Sequence, residues 1–447
     1  MQIDTGDTAW VLASAALVMF MTPGLALFYG GLVRAKNVLG TVMQSLIALG
    51  VVSVVWVLVG YSLAFGSDHG ALGGLEQLGV NGVGDEPNAL APTVPASAFM
   101  VFQLMFAVIT PALITGAFAE RMRFGGYLLF LGLWSVLVYA PVAHWVWGGG
   151  FLGASGLGAL DFAGGTVVHV NAGAAALAAA LYLGRRRGFG TGALRPHNVP
   201  MVLLGAGILW FGWFGFNAGS ALSAGGLASS AFVATHLGAA GGMLGWLGPE
   251  RLRHPRATTI GAATGAVAGL VAITPASGYV APLPALAIGL VAGAACFFAV
   301  ELKARLVLDD SLDVVGVHLV GGIVGALLTG VFASLLVNPA GAEGSLAQVA
   351  RQAAAVAVTL AFSFVATMAI LRLVDLLVGL RVRADVEGEG LDRAIHGETA
   401  YAFSDRTDGA RTLPFDPDEE LLRMREQVIA EATRRTILAL TPPDPLD

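Results

Sequence analysis

The chain has 447 residues, of which 56% are hydrophobic and only 12% charged, and its formal net charge at pH 7 is -6. Its mean hydropathy is +0.76. A soluble domain carries about a quarter charged residues, so this composition excludes an ordinary water-soluble globule. No basic patch suggests nucleic-acid binding. The one cysteine, Cys296, excludes a disulfide within the chain.

Apolar segments recur along nearly the whole chain. A helix needs about 20 apolar residues to cross the hydrocarbon core of a bilayer. The N-terminus has no basic stretch before its first apolar run, so it is typical of a spanning helix rather than a signal peptide. The eighth segment is the shortest, because Pro275 closes it. In chain order the eleven predicted spans are 10–33, 38–65, 99–119, 125–147, 166–184, 199–221, 228–247, 258–273, 284–302, 313–336 and 349–371.

Basic residues divide unevenly between the connections. Lys and Arg concentrate in cytoplasmic loops. If the N-terminus is outside, Arg351 is the one basic residue of 24 that falls at the outer end of a helix. The sequence therefore predicts an N-terminus outside and a C-terminus inside. The basic residues of the inner connections are Arg34, Lys36, Arg121, Arg123, Arg185, Arg186, Arg187, Arg195, Arg251, Arg253, Arg256, Lys303 and Arg305.

Two pairs of helices carry similar sequences. The fifth predicted helix is led by Asp161-Phe-Ala-Gly-Gly-Thr-Val-Val-His169, and the tenth by Asp310-Ser-Leu-Asp-Val-Val-Gly-Val-His318, although the two run in opposite directions. The first and sixth helices share a glycine-aromatic pattern, residues 24–30 and 207–212. Inverted repeats are common in transporters. We therefore predict an all-α membrane protein of two inverted five-helix repeats, followed by one extra helix.

The C-terminal part differs in composition. We divide the chain into a transmembrane domain, 1–380, and a cytoplasmic region, 381–447. Residues 416–440 begin with acids and end with bases, which suits the dipole of a helix. This predicted helix is either a solvated or membrane-surface helix or one that docks a partner or stabilises a trimer.

Two histidines occupy equivalent positions of the predicted repeats. Ionisable side chains inside a bilayer are expensive and indicate function by default. His169 and His318 can satisfy each other's ring nitrogens, and such a pair offers hydrogen bonds to a small polar solute or a route for a proton. The alternative is two unrelated core histidines. His144 and His236 have no such counterpart and are interpreted as structural.

Polar and aromatic side chains cluster near the predicted outer ends of the helices. Asp161 either caps the fifth helix or favours a cation, and both roles are compatible. Trp147 is either a membrane anchor or a cation–π site. Phe106 and Phe216 either stack on each other as a hydrophobic constriction or are ordinary core or lipid-facing residues. The Ser220 hydroxyl can accept a hydrogen bond from a cationic N–H group.

Five long motifs carry a family resemblance. From about residue 9 to residue 401 the chain resembles the ammonium transporter family (Amt/Rh), on its Amt branch and of the bacterial type. Residues 390–392 and 396–401 are similar to that family's cytoplasmic tail. The motifs are Pro23-Gly-Leu-Ala-Leu-Phe-Tyr-Gly-Gly31, Ala119-Glu-Arg-Met-Arg123, Asp161-Phe-Ala-Gly-Gly-Thr-Val-Val-His169, Gly212-Trp-Phe-Gly-Phe-Asn-Ala-Gly-Ser220 and Asp313-Val-Val-Gly-Val-His318.

The resemblance implies a role for each of these positions. It implies an ammonium site at the outer face formed by Phe106, Trp147 and Ser220 beside Asp161. It implies a phenyl gate of Phe106 and Phe216 and a pore with the twin histidines His169 and His318. The supporting residues that it implies are Phe28, Gln103, Trp213 and Asn217.

The resemblance also implies an activity. Ammonium is recruited and deprotonated, and ammonia crosses each subunit of a homotrimer in the bacterial inner membrane while the proton travels separately. Methylammonium is the expected analogue, and a PII-type signalling protein the expected cytoplasmic partner. No cofactor, metal or enzymatic activity is expected. Two rivals remain: an ammonium sensor with the same fold, and a channel for neutral gas, against which Trp147 argues.

Overall fold

A computed structural model describes residues 2–192 and 194–401. Within these residues ten helices are long and apolar enough to cross a membrane, and an eleventh apolar helix is shorter. The predicted helical membrane protein is therefore confirmed. The long helices are α1 (Thr5–Leu32), α2 (Ala35–Phe65), α3 (Ala96–Phe118), α4 (Phe124–Val146), α5 (Gly165–Leu183), α6 (Val199–Ala221), α7 (Gly226–Arg253), α9 (Pro282–Arg305), α10 (Val315–Phe332) and α11 (Leu346–Val378), and the shorter one is α8 (Thr259–Ile273).

Smaller elements complete the described chain. A two-stranded antiparallel hairpin, β1 (Pro87–Asn88) and β2 (Ala91–Pro95), lies in the long connection between α2 and α3. Two short helices, α12 (Ala384–Glu389) and α13 (Leu391–His396), follow α11. One compact unit comprises residues 1–400. The helix predicted at 416–440 lies outside the described residues, and the domain boundary at 380 stays a prediction.

Glycines let the helices pack closely. A side chain at Gly242 of α7 would place its Cβ 2.4 Å from the Gly265 carbonyl oxygen of α8, and one at Gly293 of α9 would lie 2.2 Å from the Gly242 carbonyl. Neither position has room for a Cβ atom. Without a hydrophobic driving force between helices, membrane bundles depend on such close backbone contact. The close packing of α7, α8 and α9 therefore accounts for part of the high glycine content of the chain, which has 61 glycines.

Four helices of the described part of the chain contain a turn of π-helix. These turns are Trp56–Gly60 in α2, Ser135–Tyr139 in α4, Gly165–Val170 at the start of α5 and Val315–Leu319 at the start of α10. A π turn is rare and is frequently found at functional sites. The turns in α5 and α10 contain His169 and His318, so the two histidines share a backbone geometry as well as a sequence spacing.

A buried ionic network joins the chain segments at one end of the bundle, which we call the arginine end. Glu120, only 1% exposed, accepts hydrogen bonds from the backbone N–H and Nε of Arg34 and from Asn37 Nδ2. Its second oxygen lies 3.1 Å from Arg186 Nη1. Arg186 in turn contacts Asp309 at 2.8 Å. The network therefore links the connections that follow α1, α3 and α5 to the one that precedes α10.

The segment after α11 folds onto the arginine end. The Leu391 N–H donates to Asn37 Oδ1 at 2.8 Å, and the Gly40 N–H donates to Asp392 Oδ1 at 2.8 Å. Glu387 accepts from the Arg187 backbone N–H through one carboxylate oxygen and from Arg381 through the other. Residues 381–396 are therefore fastened to the membrane-spanning helices by buried carboxylate and amide groups.

At the end of the bundle opposite the arginine end, both ring nitrogens of His144 of α4 form hydrogen bonds within the protein. His144 is fully buried, its Nδ1 lies 3.1 Å from the Ala64 carbonyl oxygen and its Nε2 lies 3.0 Å from Asp68 Oδ1. The neighbouring Trp145 donates from Nε1 to the Ala71 carbonyl. These bonds hold the connection after α2 against the end of α4. His236, by contrast, packs against Trp210 with 5.4 Å between ring centroids.

The network predicts an acid limit to stability. Burial raises the pKa of Glu120, but the Arg186 and Arg34 guanidinium groups outweigh it and hold the pKa below its ordinary value. Burial likewise raises the pKa of Asp309, but the hydrogen bonds and charge of Arg186 together with the charge of Arg121 outweigh burial and hold the pKa below its ordinary value. A carboxylate with a depressed folded-state pKa stabilises fully above its unfolded pKa of about 4, and this contribution is lost as the pH falls through the folded value.

We therefore expect the thermal unfolding temperature of the purified protein to change little between about pH 8 and about pH 5. At pH values lower than about 4 the unfolding temperature should decrease. Differential scanning fluorimetry in detergent measures this. Asp309→Asn removes one of the two carboxylates, so its unfolding temperature should fall less on acidification than that of the wild type. An equal or larger fall in Asp309→Asn would contradict the assignment.

Candidate functional site

The two predicted pore histidines contact each other inside the bundle. Their Nδ1 atoms lie 3.2 Å apart and their rings stack with 5.3 Å between centroids. His169 is 1% exposed and His318 is 4% exposed. Of two facing neutral imidazole nitrogens, one must donate and the other accept. His169 Nε2 has no hydrogen-bond partner within the described residues, so one polar ring atom is left for a solute.

A narrow cavity of about 20 Å³ lies against these rings. A cavity of this size holds about one water-sized molecule. The side chains of its wall are apolar apart from the two histidines, Tyr29 and Trp213, and they include Phe28. The Tyr29 hydroxyl already donates to the Leu113 carbonyl at 3.0 Å. An isolated charge is costly in such surroundings, whereas a small neutral hydrogen-bonding molecule is not.

Two phenyl rings lie next to this cavity. Phe106 of α3 and Phe216 of α6 have ring centroids 4.3 Å apart at 41°, and both are about 1% exposed. On one side the rings of Phe106 and Trp147 are nearly perpendicular, with centroids 5.8 Å apart, and on the other the rings of Phe216 and His169 stack with centroids 6.1 Å apart. Trp147, Phe106, Phe216, His169 and His318 therefore form one continuous series of ring contacts.

A larger cavity of about 440 Å³, which we call the vestibule, begins at the Trp147 end of this series. Phe106, Trp147, Ser220, Asp161 and Gln103 all line it. The Trp147 Nε1–H donates to the Asp161 carbonyl oxygen at 2.9 Å, which fixes the indole. The Ser220 hydroxyl donates to the Phe216 carbonyl at 2.9 Å, so its oxygen lone pairs are left to accept. A fixed indole beside a hydroxyl acceptor suits a small cation with N–H groups.

Asp161 caps α5. It is 6% exposed, and its two carboxylate oxygens accept the backbone N–H groups of four consecutive residues, 164–167. Gly164 has φ 117°, a left-handed conformation that glycine adopts without strain. The capping role considered for Asp161 is thus what the geometry shows directly. The carboxylate shapes the π turn that contains His169.

Two of the four predicted supporting residues, Trp213 and Asn217, donate hydrogen bonds to threonines. Trp213, whose ring stacks on His169 at 5.5 Å, donates from Nε1 to Thr274 Oγ1 at 2.9 Å. Asn217 donates from Nδ2 to Thr235 Oγ1 at 3.0 Å. Sequence reasoning missed Thr235 and Thr274, because a threonine in an apolar helix carries no signal of a partner that lies 18 or 61 residues away.

The start of α10 repeats the arrangement at the start of α5. Asp310 accepts the backbone N–H groups of Val314 and Val315, as Asp161 does for α5. Here, however, Lys303 of α9 contacts the Asp310 carbonyl oxygen and the Asp313 carboxylate. The two capped π turns bring the histidines together from opposite ends of the bundle.

Comparison with known proteins agrees with these observations. The model of the Ammonium Transporter Family matches residues 9–401. An ammonium transporter of Mycobacterium bovis is 51% identical over 435 residues, which cover 90% of this chain and 91% of that protein. An ammonium transporter of Bacillus subtilis is 51% identical over 404 residues, covering 89% of this chain and 99% of that one.

Solved structures agree as well. Mep2 of Candida albicans matches with a TM-score of 0.81 and 39% identity, over 86% of this chain and 88% of that one. A structure described as a sensor Amt protein matches with a TM-score of 0.81 and 31% identity, over 87% of this chain and 98% of that one. The resemblance predicted from five motifs is confirmed, and the chain belongs to the ammonium transporter family.

Proposed function

We propose that the protein transports ammonium across the membrane, binding the cation in the vestibule and conducting neutral ammonia through the narrow cavity. The observation that carries this proposal is the unbroken series of ring contacts from Trp147 through Phe106 and Phe216 to His169 and His318. It joins a polar cavity of about 440 Å³ to an apolar one of about 20 Å³.

The change in polarity along this series explains the chemistry. In the vestibule, ammonium loses part of its water, gains cation–π attraction to Trp147 and donates a hydrogen bond to Ser220. Beyond the phenyl pair an unpaired charge would cost several kcal/mol. Ammonium therefore gives up its proton to water before the phenyl gate. Ammonia then hydrogen-bonds to the histidines, and the proton is carried separately along the imidazole pair, where one ring nitrogen accepts as the other donates. Potassium has no proton to lose and is excluded by the same step.

For the orientation and assembly we propose what the sequence predicts. The arginine end, with Arg34, Arg121 and Arg186, is proposed to face the cytoplasm because basic residues concentrate there. We propose two inverted repeats plus α11, an N-terminus outside and a C-terminus inside, and a homotrimer with one pore per subunit in the bacterial inner membrane. Methylammonium is the expected analogue, and a PII-type protein is the expected partner at the arginine end.

An ammonium sensor is the second candidate. One structure with a TM-score of 0.81 is described as a sensor Amt protein, so this architecture occurs in sensors. A sensor with little transport would bind ammonium in the vestibule without passing charge. A channel for neutral gas would carry ammonia without current. Both differ from the proposal in one measurable quantity, which is the current that ammonium evokes.

The test is the ammonium-evoked current of proteoliposomes that contain the purified protein. We expect a saturable current with ammonium and none with potassium. The variant His169→Ala/His318→Ala loses the hydrogen bonds of both imidazoles, each worth about 1 kcal/mol. Their combined loss, about 2 kcal/mol, corresponds to a current at least about tenfold lower. His236→Ala, a histidine of α7 outside the narrow cavity, is the control and should conduct as the wild type does.

Two outcomes would count against the proposal. If ammonium binds but the wild type gives no current, a sensor or a neutral-gas channel is favoured, and a pH-sensitive dye inside the vesicles separates the two, because only the channel admits ammonia. If the histidine variant conducts as well as the wild type, charge does not cross through the imidazole pair.

A further inference from the structure

The charges that line the vestibule are unexpected for a cavity that admits a cation. Within the described residues its lining includes two charged side chains, Asp161 and Arg351. Both carboxylate oxygens of Asp161 are bonded to the four N–H groups of the α5 turn. A carboxylate at a helix N-terminus is balanced in part by the helix dipole. Arg351 of α11 is therefore the less compensated of the two charges that face the cavity.

Arg351 is held in place by its neighbours. Its Nη1 donates to Gln348 Oε1 at 3.2 Å, and the Gln348 Nε2 donates to the Gly158 carbonyl at 2.9 Å, which fixes the orientation of the amide. Gly158 has φ 76°, and a Cβ placed there would lie 3.6 Å from Arg351 Nη1. The guanidinium thus packs against the connection between α4 and α5.

The guanidinium has few partners. An arginine presents five N–H donors, and Arg351 is exposed. Its described contacts contain one hydrogen bond, to Gln348, and no carboxylate within ion-pair distance. Nothing described neutralises the charge, so it acts on whatever enters the vestibule. A guanidinium carries a full positive charge at neutral pH.

We propose that Arg351 is an electrostatic filter of the vestibule, which lowers the occupancy of cations in proportion to their charge and so favours monovalent ammonium over divalent cations. This inference rests on the proposed entry of ammonium through the vestibule. The energy between two charges is proportional to their product, so the repulsion of a divalent cation is twice that of ammonium. If removing the Arg351 charge raises the affinity for a monovalent cation by a factor f, it raises the affinity for a divalent cation by f squared.

This relation gives the inference a quantitative test. In Arg351→Gln we expect the KM for ammonium current to fall about threefold at low ionic strength. The concentration of Ba²⁺ that halves the current should fall about ninefold, the square of that factor. The maximal current should stay unchanged, because Arg351 is not among the residues of the narrow cavity. Arg351→Glu should shift both quantities further in the same direction.

Three controls separate charge from shape. Arg351→Lys keeps the charge and should retain the wild-type KM and the wild-type sensitivity to Ba²⁺. Asp85 is an exposed residue in the connection that contains the hairpin, and it does not line the vestibule. Asp85→Asn therefore removes a charge elsewhere and should not lower KM. Added salt shortens the range of interactions between exposed charges, to about 10 Å at 0.1 M and less at higher concentrations. The ratio of wild-type to Arg351→Gln KM should therefore approach one as N-methylglucamine chloride is added.

The outcomes distinguish this inference from the proposed function. Equal KM values in wild type and Arg351→Gln would overturn the filter, as would equal shifts for ammonium and Ba²⁺ or a shift in Arg351→Lys. If no variant gives a current, binding of radiolabelled methylammonium to the purified proteins replaces the current as readout. Tighter binding in Arg351→Gln would then support the filter although transport has failed, and unchanged binding would overturn it.

Discussion

Replacing Asp161 by alanine is expected to abolish the ammonium-evoked current, to about 1% of the wild type or less. The substitution leaves four backbone N–H groups of a buried turn without acceptors, and each unsatisfied buried group costs about 1–3 kcal/mol. The turn is expected to rearrange to recover partners. Because His169 lies in that turn and Trp147 donates to the backbone carbonyl of residue 161, a rearranged turn changes the geometry of the vestibule and of the narrow cavity together.

The measurement is the current per mole of reconstituted protein, together with the thermal unfolding temperature. Asp161→Asn keeps one oxygen acceptor and should lie between the wild type and alanine in both quantities. The matched control is Asp4→Ala, because Asp4 caps α1 but is exposed. Its loss should cost about 1 kcal/mol and leave the current intact. A folded Asp161→Ala protein with wild-type current would show that the cap has no part in transport.

Replacing Glu120 by alanine is expected to reduce stability strongly. Removing one member of a buried ion pair leaves an uncompensated charge and costs about 3–5 kcal/mol. Here two guanidinium groups lose their shared partner, although Arg186 keeps Asp309. The Asn37 amide loses an acceptor as well. We expect an unfolding temperature several degrees lower and easier proteolysis of residues 381–396, which are fastened to the same end.

The control for this variant is an ion pair of the same type at the surface. Glu389 lies 3.7 Å from Arg393, and both side chains are more than half exposed. Exposed pairs contribute about 0–1 kcal/mol, so Glu389→Ala should change the unfolding temperature little. If the two alanine variants were destabilised equally, the buried network would have no special part in holding the arginine end together.

The membrane-spanning helices could be predicted from the sequence because a helix that crosses a bilayer needs about 20 predominantly apolar residues. The first span was predicted at 10–33, and the helix is Thr5–Leu32; it begins earlier because Asp4 caps it. The last was predicted to end at 371 but continues to Val378. Arg372 and Asp375 lie in that extension, and apolarity alone does not predict a helix that continues past the hydrocarbon core.

The network at the arginine end could not be predicted, because its members are far apart in the sequence. Glu120 and Arg186 are separated by 66 positions and Arg186 and Asp309 by 123. Charged residues in a predicted cytoplasmic loop are ordinarily interpreted as topology signals, which says nothing of pairing. The histidine pair was predictable because the repeat spacing, eight residues from Asp161 and from Asp310, distinguished those two histidines from the other six.

The π turns at the start of α5 and α10 limit the insertions and deletions that the chain tolerates between each capping aspartate and its histidine. Each turn closes with one more residue than an α-helical turn. Deleting a single residue between Asp161 and His169 would favour an ordinary turn and rotate the histidine by about 100° around the helix axis. The imidazole would then leave the narrow cavity although both histidines and Asp161 were still present. Insertions and deletions should therefore be tolerated in the long connection between α2 and α3, and not in these two turns.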